Sequence, residues 1–177
     1  FVINKKSYSF TTSLIGKIQI KNLMFAIIAA YLSKLKINKI LKSINKIRPI
    51  KGRFERIGNL KNKSNIILDY AHTPNALQTI ILNIKDEFPL SKISLLFGCG
   101  GNRDKDKRSI MGAIAKKYCD NIYLTDDNPR NENPKLIRNQ IKKGLKLTKF
   151  DEIPSRSKAI SLAVKKLNSG DVLIVAG

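Results

Sequence analysis

Asn65-Ile66-Ile67-Leu68-Asp69, followed at once by Tyr70-Ala71-His72-Thr73-Pro74, decides the fold. Three aliphatic residues run together and end in a carboxylate. An uninterrupted apolar run of this length is what a strand buried on both faces requires. Thr73-Pro74 then marks a helix start. The hydroxyl can cap the first turn, and proline fits the first helical position, where its missing N–H costs nothing. Strand, short polar loop and helix make half of a βαβ unit.

The pattern repeats downstream. Strands are predicted over 65–69, 92–97, 121–125, near 150 and over 171–175, with helices over 74–88, 106–118, 134–145 and 156–167. Asn133-Pro134 repeats the Thr-Pro signal, and Ser155 is predicted to cap the helix after Pro154. This alternation predicts an α/β fold: a Rossmann-like, mainly parallel sheet with helices on both faces. Residues 1–50 have a different texture. Apolar and polar residues alternate through 1–20, which predicts short strands of an antiparallel ribbon, broken at Gly16. A helix then opens at Asn22, with Leu23, Ala26, Ile27, Ala30 and Tyr31 on one face, and a second runs over 37–47 until Pro49. Lys51-Gly52 reads as a hinge, a short strand follows over 54–57, and the domains are placed at 1–50 and 51–177.

Of the 177 residues, 42% are hydrophobic, enough for a packed core and against wholesale disorder. The most apolar stretch, Leu23 to Leu32, is far shorter than the roughly 20 residues of a membrane span. Cys99 and Cys119 form neither a disulfide framework nor a metal-ligand set, and read as reduced thiols of a cytoplasmic protein. Lys and Arg number 34 against 13 Asp and Glu, a formal charge of +21. One reading is a nucleic-acid-binding module held by phosphate contacts. The lysines, however, are scattered over every predicted element and are not interleaved with stacking aromatics, which argues against specific nucleic-acid binding. The charge would still draw in anionic ligands such as nucleotides. With no Met at Phe1 and a strand-like run ending at Gly177, the chain reads as an internal piece of a longer protein.

Four strand ends carry polar groups to one rim. Asp69 can accept from a ribose hydroxyl and His72 can donate near a phosphate; equally, both can satisfy the turn itself. After the strand at 92–97 comes Gly98-Cys99-Gly100-Gly101-Asn102-Arg103. Its glycines permit close backbone approach to a ligand, but the spacing satisfies neither the dinucleotide fingerprint nor the Walker pattern. Arg103, projecting from this loop, suits anion recognition, whereas Cys99 as a nucleophile lacks a base that the sequence can place. The Lys/Arg/Asp cluster that follows reads as a solvated helix start. After the strand at 121–125 comes Asp126-Asp127-Asn128-Pro129-Arg130. An Asn-Pro turn accounts for Asn128 and Pro129 but not for Arg130, whose planar fork suits a carboxylate, with Asp127 and Asn128 to orient it or to contact a substrate amine. Gly177 closes the set.

Gly52-Arg53-Phe54-Glu55, Asp69 to Leu77, Phe97 to Lys105, Arg108, Met111 to Ala115 and Thr125 to Arg130 together resemble the Mur ligases, over essentially the whole chain. The resemblance implies that residues 1–50 are the end of the central ATP-binding domain and that 51–177 are the C-terminal domain. It implies ATP and Mg²⁺ as requirements, and an acyl phosphate formed on UDP-N-acetylmuramoyl-dipeptide that an incoming amine attacks. Within the branch adding meso-diaminopimelate, it assigns Arg103, Asp127, Asn128, Pro129, Arg130 and Gly177 to the amino acid, and Arg53, Asp69 and His72 to the ATP side. A lysine-adding or other amide ligase of the family is the alternative, and Arg130 argues against the lysine branch. The phosphate loop, the Mg²⁺ ligands and a Lys-Gly-His-Glu continuation are not in this sequence, so no catalytic residue or metal ligand is assigned here. This sequence on its own is expected to be inactive, and the protein is read as a monomer. Asn102, Asp106 and Ser109 depart mildly from the family pattern.

Overall fold

A computed structural model describes residues 1–60 and 62–177. They fall into two units, Phe1–Ile50 and Lys51–Gly177. In the first, β1 (Val2–Ile3) pairs antiparallel with β2 (Lys6–Ser7). Asn4 and Lys5 between them both have positive φ, 48° and 62°, as a two-residue hairpin turn needs. Two helices follow, α1 (Lys17–Leu32) and α2 (Ile37–Ile44), joined by a core of Leu23, Ile27, Ile40 and Ile44. The ribbon is therefore shorter than predicted, and Ile18 and Ile20 belong to a helix that starts five residues earlier than Asn22. Lys-Ile-Gln-Ile-Lys alternates like a strand, but as a helix it satisfies its backbone within the segment and runs straight into the buried Leu23 and Ile27.

The second unit contains β3 (Glu55–Asn59), β4 (Asn65–Asp69), α3 (Pro74–Glu87), β5 (Ile93–Phe97), α4 (Asp106–Tyr118), β6 (Asn121–Leu124), α5 (Pro134–Leu145), β7 (Asp151–Glu152), α6 (Arg156–Lys165) and β8 (Val172–Ala176). They build a six-stranded sheet in the order β3-β4-β8-β5-β6-β7, parallel except for β3 against β4. The crossovers from β4 to β5, β5 to β6 and β6 to β7 all step the same way across the sheet, and only β7 to β8 steps back. Right-handed crossovers then put α3, α4 and α5 on one face and α6 alone on the other. Packing agrees. Ala159, Ala163 and Leu167 bury against Leu96, Tyr123, Leu173 and Val175. The alternate residues Leu95, Phe97, Ile122, Leu124 and Ile174, equally buried, face the opposite side by the pleat.

Local signals set most helix starts. The Thr73 hydroxyl accepts from the Ala76 amide and the Asn133 side chain from the Lys135 amide, both with proline in the first turn. Ser155 departs from prediction. Its hydroxyl meets that of Ser157 at 3.1 Å and makes no capping bond to the α6 backbone.

The start of α4 also departs from prediction. Lys107 and Arg108 are buried, not solvated, because one turn of helix carries them under the neighbouring loops. The Arg108 guanidinium, with none of its surface exposed, takes both carboxylate oxygens of Glu132 (2.8 and 3.0 Å) and the carbonyl of Gly100 at 3.1 Å. Glu132 also accepts from the Asn102 amide at 2.6 Å. The Arg108 partner first, and that amide next, hold the Glu132 carboxyl down at about 2. Farther along, α4 and α5 meet backbone to backbone. A Cβ on Gly144 would lie 1.9 Å from the Ser109 carbonyl, and one on Gly112 would lie 2.3 Å from that of Ile141.

Two outcomes follow from these contacts. Alanine gains about 1 kcal/mol over glycine in a helix, but here it must force two helix backbones apart. Gly144→Ala and Gly112→Ala are each expected to lose about 2 kcal/mol or more net, read as a fall in the denaturant midpoint. The Glu132 contribution has a depressed folded value, so it is complete above the ordinary carboxyl value of 4.5 and is lost as pH falls towards 2. The stability gap between the wild type and Glu132→Gln should therefore be widest above pH 4.5 and close as pH approaches 2, measured by denaturant titration.

Candidate functional site

Four parallel strands end together: β4 at Asp69, β8 next to Gly177, β5 at Phe97 and β6 at Leu124. Ligands of open parallel sheets bind outside this carboxyl edge. The loop after β5 and the loop after β6 lie against each other along it. The Gly101 amide donates to the Asn128 carbonyl at 2.8 Å, and the Asn131 amide donates to the Asn102 side chain at 3.1 Å. A Cβ on Gly98 would sit 2.5 Å from the Thr125 carbonyl, and one on Gly101 would sit 1.8 Å from that of Pro129. The approach of one loop to the other is thus enough to require these two glycines, a reason the sequence did not reveal. Gly100 differs in that the nearest atom to its Cβ position belongs to a side chain, the Arg130 guanidinium at 2.8 Å, with the Asn128 carbonyl at 3.5 Å and the Asp127 carboxylate at 3.7 Å.

The two carboxylates after β6 part company. Asp126 turns towards α5 and pairs with Arg138, which also holds Glu152 at 2.8 Å. Asp127 stays on the rim, its Oδ2 lying 3.7 Å from a Cβ built on Gly100 and 4.0 Å from one built on Gly177. Arg130 is exposed, with its backbone in the left-handed region at φ 49° and its amide donating to the Asn128 side chain at 3.2 Å. Such a conformation costs a non-glycine residue about 1 kcal/mol or more, and is kept where the surroundings fix it. It aims the guanidinium across the groove, where Nη1 donates to the Gly101 carbonyl at 2.8 Å. Arg103, on the facing loop, is exposed. The structure therefore brings Asp127, Asn128, Pro129, Arg130 and Gly177 into one cluster with the loop that carries Arg103. A guanidinium beside an accessible carboxylate can hold a molecule carrying both carboxylate and ammonium groups.

The residues read as the ATP side form a second group at the β4 end. Burial raises the Asp69 carboxyl, against the backbone bonds from Phe54 and Ala71 and the charge of Arg53. Its Oδ2 accepts from the Phe54 amide at 2.8 Å, so part of this carboxylate is committed to the turn. Tyr70 is exposed between two partners: the Arg53 guanidinium lies 4.8 Å from its ring centre on one side, and the His72 ring lies 4.8 Å away. His72 Nδ1 lies 3.0 Å from the Tyr70 carbonyl, an acceptor, so the proton sits on Nδ1. The His72 carbonyl accepts from the buried Lys107 ammonium at 2.8 Å. The Gly177 amide joins the two groups, donating to the Asp69 carbonyl at 3.1 Å.

Cys99 is no nucleophile. Its sulfur is buried 3.7 Å from that of Met111, and burial pushes the thiol up to about 11. Among the described residues no group of three or more His, Cys, Asp or Glu side chains is placed to hold a metal ion. No helix among them is long and apolar enough to cross a membrane. A depression of about 570 Å³ lies at the opposite, amino edge of the sheet between Lys92, Asp120, Lys149 and Lys166, away from the rim described here. Sequence reasoning missed Glu132 and Arg156 altogether. For Glu132 the available signal was slight: an acidic residue two positions before α5, in a chain whose α4 start is rich in cations.

Residues 52–177 match the family model of the Mur ligase, glutamate ligase domain. The chain is 43% identical over its full length to UDP-N-acetylmuramoyl-L-alanyl-D-glutamate–2,6-diaminopimelate ligase of Rickettsia felis, and covers 33% of that protein. It is 40% identical over 94% of its length to the ligase of the same name from Buchnera aphidicola, covering 33% of it. The chain spans about a third of the length of the curated relatives it matches. A solved structure of a ligase of that name superposes with a TM-score of 0.69 at 30% identity, over 98% of this chain and 36% of that one. UDP-N-acetylmuramate-alanine ligase from Thermotoga maritima, at 17% identity, shares the fold with a TM-score of 0.73 over 98% of this chain and 37% of its own. By its sequence from residue 52 onward and by its fold, this chain belongs to the Mur ligase family.

Proposed function

We propose that the protein to which this chain belongs is an ATP-dependent amide ligase that adds meso-diaminopimelate to UDP-N-acetylmuramoyl-L-alanyl-D-glutamate, and that this chain presents the amino acid. The observation that carries the reading is Arg130, held in a left-handed backbone conformation and aimed across the Gly100–Gly101 groove beside Asp127. The names of the Rickettsia and Buchnera relatives support it.

Diaminopimelate differs from lysine by a second carboxylate on its distal carbon. Arg130, with Arg103 from the facing loop, is the fork that would take this carboxylate. Asp127 would take the distal ammonium, with Asn128 and Pro129 fixing the turn and Gly177 offering its backbone. Holding that end leaves the other amine free to attack the acyl phosphate of the dipeptide, so that the amide forms as phosphate leaves. Arg53, Asp69 and His72 would face the nucleotide, with Arg53 towards its phosphates and Asp69 towards its ribose. Mg²⁺ would shield phosphate charge during transfer, and its ligands would come from outside this stretch. We take the +21 charge as a general attraction for anionic substrates, with no specific nucleic acid and a single copy as the working unit.

In the full-length protein, Arg130→Lys and Arg130→Ala are expected to lose about 2–5 kcal/mol of binding to meso-diaminopimelate, at least a roughly thirty-fold rise in KM. The ATP KM should stay near the wild-type value. ADP release measured against each substrate in turn would show this. Unchanged affinity for meso-diaminopimelate would remove Arg130 from the role.

A further inference from the structure

Arg156 is an expensive residue where it stands. It occupies the first position of α6, where the unpaired helix amides disfavour a cation. Burial holds its guanidinium below the usual arginine range, against the pull of Asp127. Its Nη1 is buried with no hydrogen-bond partner, a loss that native structures seldom tolerate without a reason. Any ordinary helix former would avoid all three costs.

Its other nitrogen makes two contacts. Nη2 donates to the carbonyl of Ala176 at 2.9 Å and to that of Gly177 at 3.0 Å, where the chain leaves β8. From the other side, the Gly177 amide donates to the Asp69 carbonyl at 3.1 Å. Gly177 has φ 93°, which other residues adopt only under strain, so the chain bends away from the strand just after this amide. The Asp127 carboxylate lies 4.0 Å from the position a Cβ on Gly177 would take, and the Gly98 carbonyl lies equally close. The β8 exit is therefore held between β4 and α6 and faces Asp127.

We propose that Arg156 is a positioning residue of the amino-acid subsite: by clamping the Ala176 and Gly177 carbonyls it sets the Gly177 backbone against Asp127 and keeps a cation beside that carboxylate. This rests on the function proposed above. The clamp comes from the face of the sheet opposite the helices that carry the rest of the subsite.

The test uses the full-length ligase with Arg156→Met, which keeps an apolar stem, and Arg156→Lys, which keeps a nitrogen able to reach both carbonyls. Arg156→Met is expected to raise the KM for meso-diaminopimelate about tenfold or more while the ATP KM stays within about twofold. Arg156→Lys should recover most of that loss. Hydrogen exchange in the peptide spanning Ala176 and Gly177 should quicken in Arg156→Met and not in Arg156→Lys. Equal rises in both KM values, no rise in either, or a lysine variant no better than the methionine variant would overturn the role. If Arg156→Met does not fold, Arg156→Gln takes its place with the same expectations. Wild-type enzyme that shows no meso-diaminopimelate-dependent ADP release would sink the functional reading itself. An active wild type with a failed variant comparison would sink only the clamp.

Discussion

A single buried guanidinium fixes the site's geometry. Arg108 reaches from the first turn of α4 to both oxygens of Glu132 and to the Gly100 carbonyl, and so ties the loop after β5 to the loop after β6. A cation without exposed surface is tolerable only when its charge is matched, as Glu132 matches Arg108 although the Arg108 Nε has no hydrogen-bond partner. Once matched, it leaves the two loops little freedom. Gly98 and Gly101 can then lie against the facing backbone, Arg130 can reach across to Gly101, and Asp127 is left facing the rim. Without the pair, an uncompensated charge would lie under the groove and the register of the two loops would be lost.

Charge is divided by purpose along this edge. Asp126 and Glu132 serve internal arginines, while Asp127 and the exposed Arg103 and Arg130 stay accessible. Neighbouring residues of the same type thus do different work, and the difference lies in which element each one meets. Lys107 extends this division towards the β4 end, where its ammonium holds the His72 carbonyl. The Gly177 amide on the Asp69 carbonyl also ties the two halves of the rim together.

Much of the second unit was legible because its signals are local. The runs at Asn65–Asp69, Asp106–Tyr118 and Pro134–Leu145 carry their own boundaries in apolar periodicity and in Thr-Pro or Asn-Pro starts, and they fold within those boundaries. The first unit was less legible. Lys-Ile-Gln-Ile-Lys alternates, and it is helical because it runs straight on into Leu23 and Ile27, which pack with Ile40 and Ile44. Ser155 had the right residue type for a cap but found a nearer partner in Ser157. At the site, the loops that share the rim could be read, but the packing reason for Gly98 and Gly101 could not. Whether a glycine admits a ligand or another loop is a question of which strands lie side by side, and that order is not written in any one segment. The same holds for Arg108, Glu132 and Arg156. Each is defined by a partner distant in sequence, and pattern alone cannot distinguish a buried cation from a solvated one.

The place of β8 bears on how the protein assembles. Residues 172–176 lie between residues 65–69 and 93–97, so two strands made early never touch and must wait for a late one to join them. As the chain leaves the ribosome, β5, α4, β6 and α5 can gather through neighbouring contacts, but β4 has only β3 beside it until β8 arrives. Non-local pairing of this kind slows folding and leaves sticky strand edges open in the interval. The strand that joins β4 to β5 also delivers Gly177 to the rim, so the nascent protein brings the two parts of this edge together in the same event that joins the two parts of its sheet.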